Sequence, residues 1–487
     1  MRRSRPEGLI RRRQSLATLQ RRARALRRRY ATDPRHRPPK GLPAFWTRAR
    51  RLFWSWWPWS LLSVWTFSID ETGWGIGTLS MALFSYLAAP VETPPRFGLE
   101  HAMGVESDEF LTTVAGATGS PFMPGNSLDV LNNGDEFFPV MLREITLAQL
   151  SITIEAYIYW AGDIGRRFAD ALAERARAGV RVKILLDAVG SADIGSEIVA
   201  ILEKGGCQIA WYNPIRWYSL GRVNNRTHRK SLIVDGRVAF TGGAGIADNW
   251  LGNAEDEDHW RDIQIRIEGP AVTPLQTGFA QNWLESTHEL ISGPLFYPPQ
   301  DADGRLSILT VMSSPVTGAS TARILYYLSI VAARRSILVA NPYFVPDPAA
   351  LDTLIDAKRR GVNVRIMVSG KHNDNWLSRR NAVRMYGPLL AAGIEILEFE
   401  PTLLHHKMMV VDGVWTTIGT TNFDSRSFAH NEESNVCVYD RALASELTAI
   451  FEADAARCTR IAFDRWRRRG LAWRAQEVVA AFLTEQV

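Results

Sequence analysis

From residue 134 onward, the hydrophobic positions follow a period near 3.6 in some segments and short apolar runs in others. These patterns predict helices and strands in turn. The predicted elements are helix 134–150, strand 151–159, helix 164–178, strand 180–187, helix 194–204 and strand 207–212. Alternating helices and strands are typical of βαβ units, in which helices cover both faces of a sheet. This part of the chain therefore predicts an α/β fold.

The same pattern returns in the second half of the chain. Corresponding segments lie 182 to 187 residues apart: 151–159 and 336–344, 179–186 and 361–368, and 206–214 and 393–401. Further along, the offset falls to 177, because the first copy has a longer loop at 215–227 that holds Arg216, Trp217, Tyr218 and Arg222. A repeat of this length indicates a duplication. We predict two duplicated α/β lobes, at residues 126–299 and 300–487.

The first 91 residues follow other patterns. Residues 9–30 are rich in arginine and carry one apolar stripe at helical spacing, which is typical of a helix at an anionic membrane surface. A disordered basic arm is the alternative, and nucleic-acid binding by this arm is a weaker one. Two uncharged stretches of 18 and 20 residues follow, at 52–69 and 72–91. Each approaches the roughly 20 apolar residues that cross a bilayer.

We therefore predict a basic arm at 1–51, a membrane-associating hairpin at 52–91 and a linker at 92–125 with a short helix near 108–114. A hairpin buried against the globular part is the alternative. The arginines favour a cytoplasmic N-terminus. Two crossings would return the lobes to the cytoplasm, as we expect, whereas one crossing would leave them outside.

Composition and charge narrow the functional classes. The 487 residues are 46% hydrophobic and 22% charged, which is typical of a folded protein with more than one domain. The whole chain has a net charge of +6. Residues 1–51 carry a net charge of +16, so the remaining residues carry −10. An acidic catalytic part argues against a nuclease and against a nucleic-acid partner. The three scattered cysteines argue against a disulfide framework, and no metal-ligand spacing is visible.

A His-x-Lys-x4-Asp motif occurs twice, and its residues are the candidate catalytic groups. The two copies are His228, Lys230 and Asp235, and His405, Lys407 and Asp412. Residues two apart on a strand share a face, so each histidine projects with its lysine, while His406 points away. Two histidines and two lysines can open a phosphodiester, since the reaction needs a nucleophile, an acid and cations for the oxygens. The aspartates are expected to brace loops rather than to touch substrate.

This doubled motif resembles that of the phospholipase D superfamily. The resemblance implies two lobes packed about a pseudo-twofold axis, so that both motifs face one phosphate. It also implies a phosphohistidine intermediate without any cofactor, with one histidine as nucleophile and the other as acid and then base. We assign His228 as nucleophile and His405 as acid and base, although the duplication leaves these roles exchangeable.

Further candidate site residues occupy corresponding places after the two motifs. Glu433 and Asp262 both lie at the mouth of the next strand, and we expect Glu433 to orient His405 and Asp262 to orient His228. A surface carboxylate is the alternative for Asp262. The candidate phosphate-binding residues are Gly242, Gly243, Gly419, Thr420 and Asn422. Asn422 matches the family asparagine, whereas Gly245 stands where the first lobe would carry one.

Within the superfamily, several segments resemble bacterial cardiolipin synthases. They are Glu155-Ala-Tyr157, Trp260-Arg261-Asp262, Asn341-Pro-Tyr343 and Asp424-Ser-Arg426-Ser427. The resemblance implies a membrane-associated phosphatidyltransferase that acts on phospholipids at the bacterial inner membrane. The alternatives are a phospholipase D hydrolase, then a nuclease and, from another class, a non-catalytic membrane scaffold. The native donor, the native acceptor and the oligomeric state are left open.

Overall fold

The computed structural model describes residues 56–68, 72–87, 103–215, 225–315 and 320–470, together with five positions between 473 and 480. The basic arm at 1–51 and the aromatic loop residues from Arg216 to Arg222 lie outside the described residues. The chain divides into two compact units, Met1–Pro90 and Val91–Val487.

The N-terminal unit contains two paired helices, α1 (Trp56–Ser68) and α2 (Thr72–Leu87). The hydroxyl of Ser63 donates to the carbonyl of Gly75 at 3.0 Å. Large apolar side chains remain exposed on both helices, among them Val64 (69%), Trp65 (58%) and Trp74 (70%). The two helices have 13 and 16 residues, and within the described ranges no helix has the length and hydrophobicity to cross a bilayer. The expected membrane-crossing helices are therefore not supported.

In the first half of the second unit, the elements follow the predicted alternation. The helices are α3 (Asp108–Thr118), α4 (Asn133–Leu147), α5 (Asp163–Arg177), α6 (Ser196–Gly205) and α7 (Val272–Thr287). The strands are β1 (Phe122–Asn132), β2 (Ser151–Ala156), β3 (Arg181–Asp187), β4 (Gln208–Tyr212), β5 (Arg226–Thr227), β6 (Ser231–Val234), β7 (Val238–Gly242) and β8 (Ile263–Glu268).

The second half repeats this order. Its helices are α8 (Thr321–Ala332), α9 (Pro348–Arg359), α10 (Trp376–Ala391), α11 (Ser425–Ala429), α12 (Arg441–Ala455) and α13 (Phe463–Arg467). Its strands are β9 (Leu306–Ser313), β10 (Ser336–Ala340), β11 (Asn363–Ser369), β12 (Glu395–Phe399), β13 (Lys407–Val411), β14 (Trp415–Gly419), β15 (Asn431–Tyr439) and β16 (Cys458–Arg460).

The strands of both halves form one continuous mixed sheet. At its centre β1 pairs antiparallel with β9, and outward from this pair the order is β8-β7-β6-β2-β3-β4 on one side and β15-β14-β13-β10-β11-β12-β16 on the other. The two sides therefore repeat the same strand order. The predicted duplication is present, and the halves are joined edge to edge in the sheet as well as packed together.

Helices cover both faces of this sheet, as the alternation predicts. In the first half, α4, α5 and α6 bury Phe137, Phe168 and Leu202 against one face. A core between the halves contains Leu275 of α7 and Leu447 of α12. Helix α3, inside the predicted linker, buries Phe110 and Val114 in the core of the second half. Residues 103–125 thus belong to the folded unit.

Candidate active site

Both motif histidines lie at the same edge of the sheet. The strand that contains or directly follows each motif pairs antiparallel with a neighbouring strand of the same half. In the first half β6 pairs with β2, and in the second half β13 pairs with β10. His228 and His405 therefore lie beyond the carboxyl ends of β2 and β10, where the chain continues to Tyr157 and Tyr343. His228 and His405 are 7% and 4% exposed, so the site is largely desolvated.

Backbone hydrogen bonds between the halves hold the two motifs together. The N–H of His228 donates to the carbonyl of Glu432 at 2.9 Å, and the N–H of His405 donates to the carbonyl of Arg261 at 2.7 Å. The short strand β5 also pairs in parallel with β15 of the other half. Each histidine is thus fixed beside the strand that carries the other half's carboxylate.

The histidine–carboxylate pairs are therefore crossed between the halves. Nδ1 of His228 lies 3.1 Å from both carboxylate oxygens of Glu433, and Nδ1 of His405 lies 2.9 Å from Oδ2 of Asp262. The expected pairing within each lobe is wrong, because β15, which carries Glu433, runs next to His228, and β8, which begins directly after Asp262, starts next to His405. Both carboxylates are fully buried, so the surface alternative for Asp262 is also excluded.

The two lysines lie beside the two histidines. Nζ of Lys407 is 3.1 Å from each ring nitrogen of His405, and Nζ of Lys230 donates to the carbonyl of His228 at 3.0 Å. Lys407 also lowers the pKa of His228, and Lys230 lowers the pKa of His405, so these charges act across the halves. The four side chains thus form one electrostatic unit.

Burial dominates the protonation of the histidines and lysines. Burial and then Lys407 lower the pKa of His405 to about 4, and burial with Lys230 and Lys407 holds the pKa of His228 well below its ordinary value. Burial lowers the pKa of Lys407 to about 8 and also lowers the pKa of Lys230. Both imidazoles are thus neutral at pH 7 in the free protein.

The two carboxylates have different environments. Burial raises the pKa of Glu433, even though Thr420 donates a hydrogen bond to it at 2.5 Å. Burial acts on Asp262 in the same direction, but the hydrogen bond from His405 and the charges around it outweigh burial and lower its pKa. Asp262 is therefore ionised beside His405, whereas Glu433 binds a proton more readily beside His228.

The glycines after each motif allow a close approach of neighbouring groups, which are the carboxylate of Asp262 in the first half and the backbone of β15 in the second. A Cβ on Gly243 would lie 2.2 Å from Oδ1 of Asp262, and a Cβ on Gly419 would lie 2.2 Å from the carbonyl of Ser434. The N–H groups of Gly243 and Thr420 donate to the carbonyls of Ile263 and Ser434. Both N–H groups are thus used in the sheet, and the assignment of Gly243 and Thr420 to phosphate binding stays a prediction.

Gly242, at the end of β7, lies equally close to β8. A Cβ there would be 2.4 Å from the carbonyl of Ile263. Asn422 is 6% exposed, and its Oδ1 has no hydrogen-bond partner among the described residues. A Cβ on Gly245 would lie 2.9 Å from the carbonyl of Ile158 and 3.2 Å from the ring of Trp250, so an asparagine there would not fit without rearrangement. Asn422 stays a candidate to donate a hydrogen bond from its Nδ2–H group to phosphate, and it has no counterpart at Gly245.

Asp235 and Asp412 lie away from the histidines. His405 and Asp412 lie at opposite ends of β13, seven positions apart, which corresponds to about 20 Å in an extended strand. The carboxylate of Asp412 accepts from the N–H groups of Arg334, Arg335 and Ser336 at 2.7 to 2.9 Å. Asp235 accepts likewise from residues 149–151. The aspartates are therefore not part of the reacting group, and they brace the loops as expected from the sequence.

Replacing Asp412 with alanine should therefore destabilise the protein without changing its chemistry. Three backbone donors would lose their acceptor, and alanine would have to keep the positive φ of 53°. We expect a loss of about 2 to 4 kcal/mol in the free energy of unfolding. Denaturant titration measures this loss, and a fall of more than tenfold in the activity of the folded fraction would contradict the assignment.

Comparison with known proteins identifies the family. Residues 141–283 and 328–455, more than half of the chain, match the family model described as cardiolipin synthase, PLD-like domain. A cardiolipin synthase of Geobacillus sp. (strain WCH70) is 34% identical over 369 residues, which cover 75% of this chain and 73% of that protein. The chain belongs to the cardiolipin synthase family of phospholipase D-like enzymes.

Other members and a solved structure agree with this assignment. The major cardiolipin synthase of Bacillus subtilis is 32% identical over 366 residues, with coverage of 74% of this chain and 76% of its own length. The phosphatidylserine synthase of Haemophilus influenzae has a TM-score of 0.60 at 13% identity, and the match covers 78% of this chain and 100% of that one. This likeness shows the phospholipase D-like fold alone.

Aromatic residues line the site of this cardiolipin synthase family member, and sequence reasoning did not assign them roles. Tyr157 contacts the ring of His228 edge-on at 5.3 Å, and Tyr343 contacts that of His405 at 6.2 Å. Trp250 and Trp260 pack on His405 at 5.3 and 5.8 Å. The two tyrosines stand at matching places in the repeat, 186 residues apart, which is the signal that could have found them.

Proposed function

We propose that this protein is a phosphatidyltransferase of the cardiolipin synthase type, which moves a phosphatidyl group from one phospholipid to a hydroxyl of another through a covalent intermediate on His228. The observation that carries the proposal is the crossed pair of buried histidines, each held by a carboxylate of the other half and each beside a lysine. This arrangement offers a nucleophile, an acid and two cations around one phosphate.

In the first step, Nε2 of His228 attacks the phosphorus of the donor, and the bond from phosphorus to the leaving alcohol breaks. The alkoxide takes a proton from His405, and the leaving alcohol is glycerol if the donor is phosphatidylglycerol. Lys230, Lys407 and Asn422 hold the non-bridging oxygens, where negative charge accumulates. Glu433 accepts from Nδ1 of His228, which leaves the lone pair of Nε2 free for attack.

In the second step, the hydroxyl of the acceptor lipid gives its proton to His405 while its oxygen attacks phosphorus. The phosphorus–nitrogen bond breaks, and His228 returns to its neutral form. Two molecules of phosphatidylglycerol would thus give cardiolipin and glycerol. Water in place of the lipid alcohol would give phosphatidic acid, which is the hydrolase reaction.

The electrostatics of the two pairs support this division of roles. His405 must become an imidazolium to act as acid, and the ionised Asp262 beside it stabilises that charge. A bound phosphodiester anion offsets the two ammonium groups that depress the pKa of His405. Beside His228, the more readily protonated Glu433 gives less support to an imidazolium and leaves this imidazole neutral, as a nucleophile must be.

Two features support a lipid partner and a location at the bacterial inner membrane. Helices α1 and α2 expose large apolar side chains, and the sequence before them is strongly basic. At the active-site edge of the sheet, Val189, Ile215 and Trp376 are 40%, 61% and 62% exposed. Tryptophan is enriched where proteins meet the headgroup region of a bilayer. We therefore propose that this edge faces the cytoplasmic leaflet.

The test is the full-length protein with vesicles that contain phosphatidylglycerol labelled in its headgroup. We expect cardiolipin and free glycerol in equal amounts and little phosphatidic acid. Phosphatidic acid as the main product would instead establish the hydrolase. Absence of turnover with any phosphodiester would leave only a non-catalytic membrane scaffold.

The pH dependence should follow the lysines. Lys230 and Lys407 bind phosphate only in their protonated forms, and burial lowers their pKa values to about 7 and about 8, so kcat/KM for the transfer should fall more and more steeply as pH rises from about 7 through 8. The phosphodiester stays ionised over this range. The pKa of His405, about 4 in the free enzyme, lies below the range, so the need for a protonated His405 adds a steady decline on which the fall due to the lysines is superimposed. Initial rates measured between pH 5 and 10 give the pH profile of kcat/KM.

Lys407→Arg is the matched variant, because a guanidinium does not lose its proton in this range. It should react more slowly and should lose the steepening of the profile near pH 8, while the fall near pH 7 that belongs to Lys230 remains. A profile as steep above pH 8 as that of the wild type would show that another group controls this part of it.

A further inference from the structure

The indole of Trp250 lies behind the pair formed by Asp262 and His405. Its Nε1–H donates to Oδ2 of Asp262 at 2.8 Å, and the same oxygen lies 2.9 Å from Nδ1 of His405. The other oxygen, Oδ1, accepts from the N–H of Ile263 at 2.8 Å. Trp250 is fully buried, so this hydrogen bond is screened from water.

The donor set around the other carboxylate is different. Glu433 accepts from the hydroxyl of Thr420, whereas the corresponding position beside Asp262 is Gly243, which has no side chain. Ser427, which also hydrogen-bonds to Glu433, stands 177 residues after Trp250, the same offset that separates the two motif histidines. The two halves thus support their carboxylates from matching places with different side chains. Among the described residues, an indole donates to the carboxylate of the Asp262–His405 pair and none donates to that of the Glu433–His228 pair.

The packing of Trp250 fixes the direction of this bond. Its ring contacts the ring of His405 edge-on at 5.3 Å and that of Trp260 at 4.7 Å. A Cβ on Gly245 would lie 3.2 Å from the Trp250 ring, so the absence of a side chain at that position leaves space for the indole. The departure from the family asparagine at Gly245 and the presence of Trp250 are therefore geometrically linked.

We propose that Trp250 is a positioning residue that fixes Asp262, and through it His405, in the geometry for proton transfer to the leaving alcohol. This inference rests on the proposed function, because it assigns Trp250 to the acid role of His405. Without the indole donor, Asp262 is held at Oδ2 by His405 alone, and the carboxylate can turn about its Cβ–Cγ bond. The imidazole then loses its fixed orientation toward the leaving oxygen, while His228 and Glu433 keep theirs.

Dependence on the leaving group distinguishes this role from a general loss of structure. Glycerol needs a proton as it leaves, whereas p-nitrophenol leaves as a stable anion and needs little help from an acid. A defect confined to the acid should slow the release of glycerol and spare the release of p-nitrophenol. A damaged nucleophile or a loosened fold should slow both.

The experiment compares the wild type, Trp250→Phe and Trp415→Phe as full-length proteins. The donors are phosphatidylglycerol and phosphatidyl-p-nitrophenol in mixed vesicles, and first-turnover release of each alcohol is measured. Trp415→Phe is the matched control, because it also removes a buried indole donor, to Oγ of Ser329 at 2.9 Å, on β14 in the core of the second half. Benzothienylalanine at position 250 is a second variant, which keeps the bicyclic ring and replaces the N–H with sulfur.

For Trp250→Phe and for benzothienylalanine at 250, we expect glycerol release to slow by about tenfold or more, with p-nitrophenol release within about threefold of the wild type. Trp415→Phe should match the wild type with both donors. Equal slowing with both donors, or unchanged glycerol release in the benzothienylalanine protein, would overturn the proposal. A wild type that forms no cardiolipin would instead overturn the proposed function.

Discussion

His228→Ala should abolish phosphatidyl transfer, with a loss of about 10⁴-fold or more, because the variant has no atom that can attack the phosphorus. The activated donor phosphatidyl-p-nitrophenol should not restore its activity, since the missing group is the nucleophile. His405→Ala should lose turnover of phosphatidylglycerol to a similar extent. It should still release one equivalent of p-nitrophenol in a burst, because His228 remains and this leaving group needs no acid.

His259→Ala serves as the control for both histidine variants. His259 is a partly exposed histidine that interacts with Asp256 and Glu255, outside the crossed pairs. Its replacement should leave the turnover of both donors unchanged. A burst from His228→Ala and none from His405→Ala would contradict the assignment and exchange the two roles.

Glu433→Gln should slow the first step by about 10²-fold or more with either leaving group, because it disturbs the tautomer of the nucleophile His228 in the other half. Asp262→Asn should have a loss of similar size with phosphatidylglycerol but should largely spare the release of p-nitrophenol. These opposite patterns follow from the crossed hydrogen bonds. First-turnover kinetics with both donors measure them.

Pairing within each half would give the reverse patterns, with Asp262→Asn acting on the nucleophile. The histidine variants fix which imidazole attacks, so a reversal in the carboxylate variants would bear on the pairing alone. Thermal unfolding of each variant controls for loss of folded protein, which matters here because both carboxylates are fully buried.

The sequence predicted the duplication and most of the elements, because both follow from local hydrophobic pattern. Strand 180–187 is observed as Arg181–Asp187, and helix 164–178 as Asp163–Arg177. The doubled motif also identified the histidines and lysines that the structure brings together. These features depend on spacing along the chain, and spacing is visible in a sequence.

The contacts between the halves were not predictable in this way. The sequence places Glu433 and Asp262 correctly at the mouths of strands, but it does not show that β15 runs beside His228 of the other half. The small residues after each motif suggested a phosphate cradle, whereas their close neighbours are the strands β8 and β15. Trp250 donates a hydrogen bond from its indole N–H to Asp262, twelve residues further along the chain, and no periodic pattern in the sequence predicts this contact.

In the proposed mechanism, one phosphorus atom is bound covalently to His228 while the second half supplies the acid. His405→Ala is mixed with phosphatidyl-p-nitrophenol, and the reaction is quenched at alkaline pH, which preserves the acid-sensitive phosphohistidine. Its peptides are then mapped by mass spectrometry. We predict one phosphatidyl group on the peptide that contains His228 and none on the peptide that contains residue 405. A modified peptide elsewhere, or an unmodified His228 peptide after a full burst of p-nitrophenol, would contradict the account.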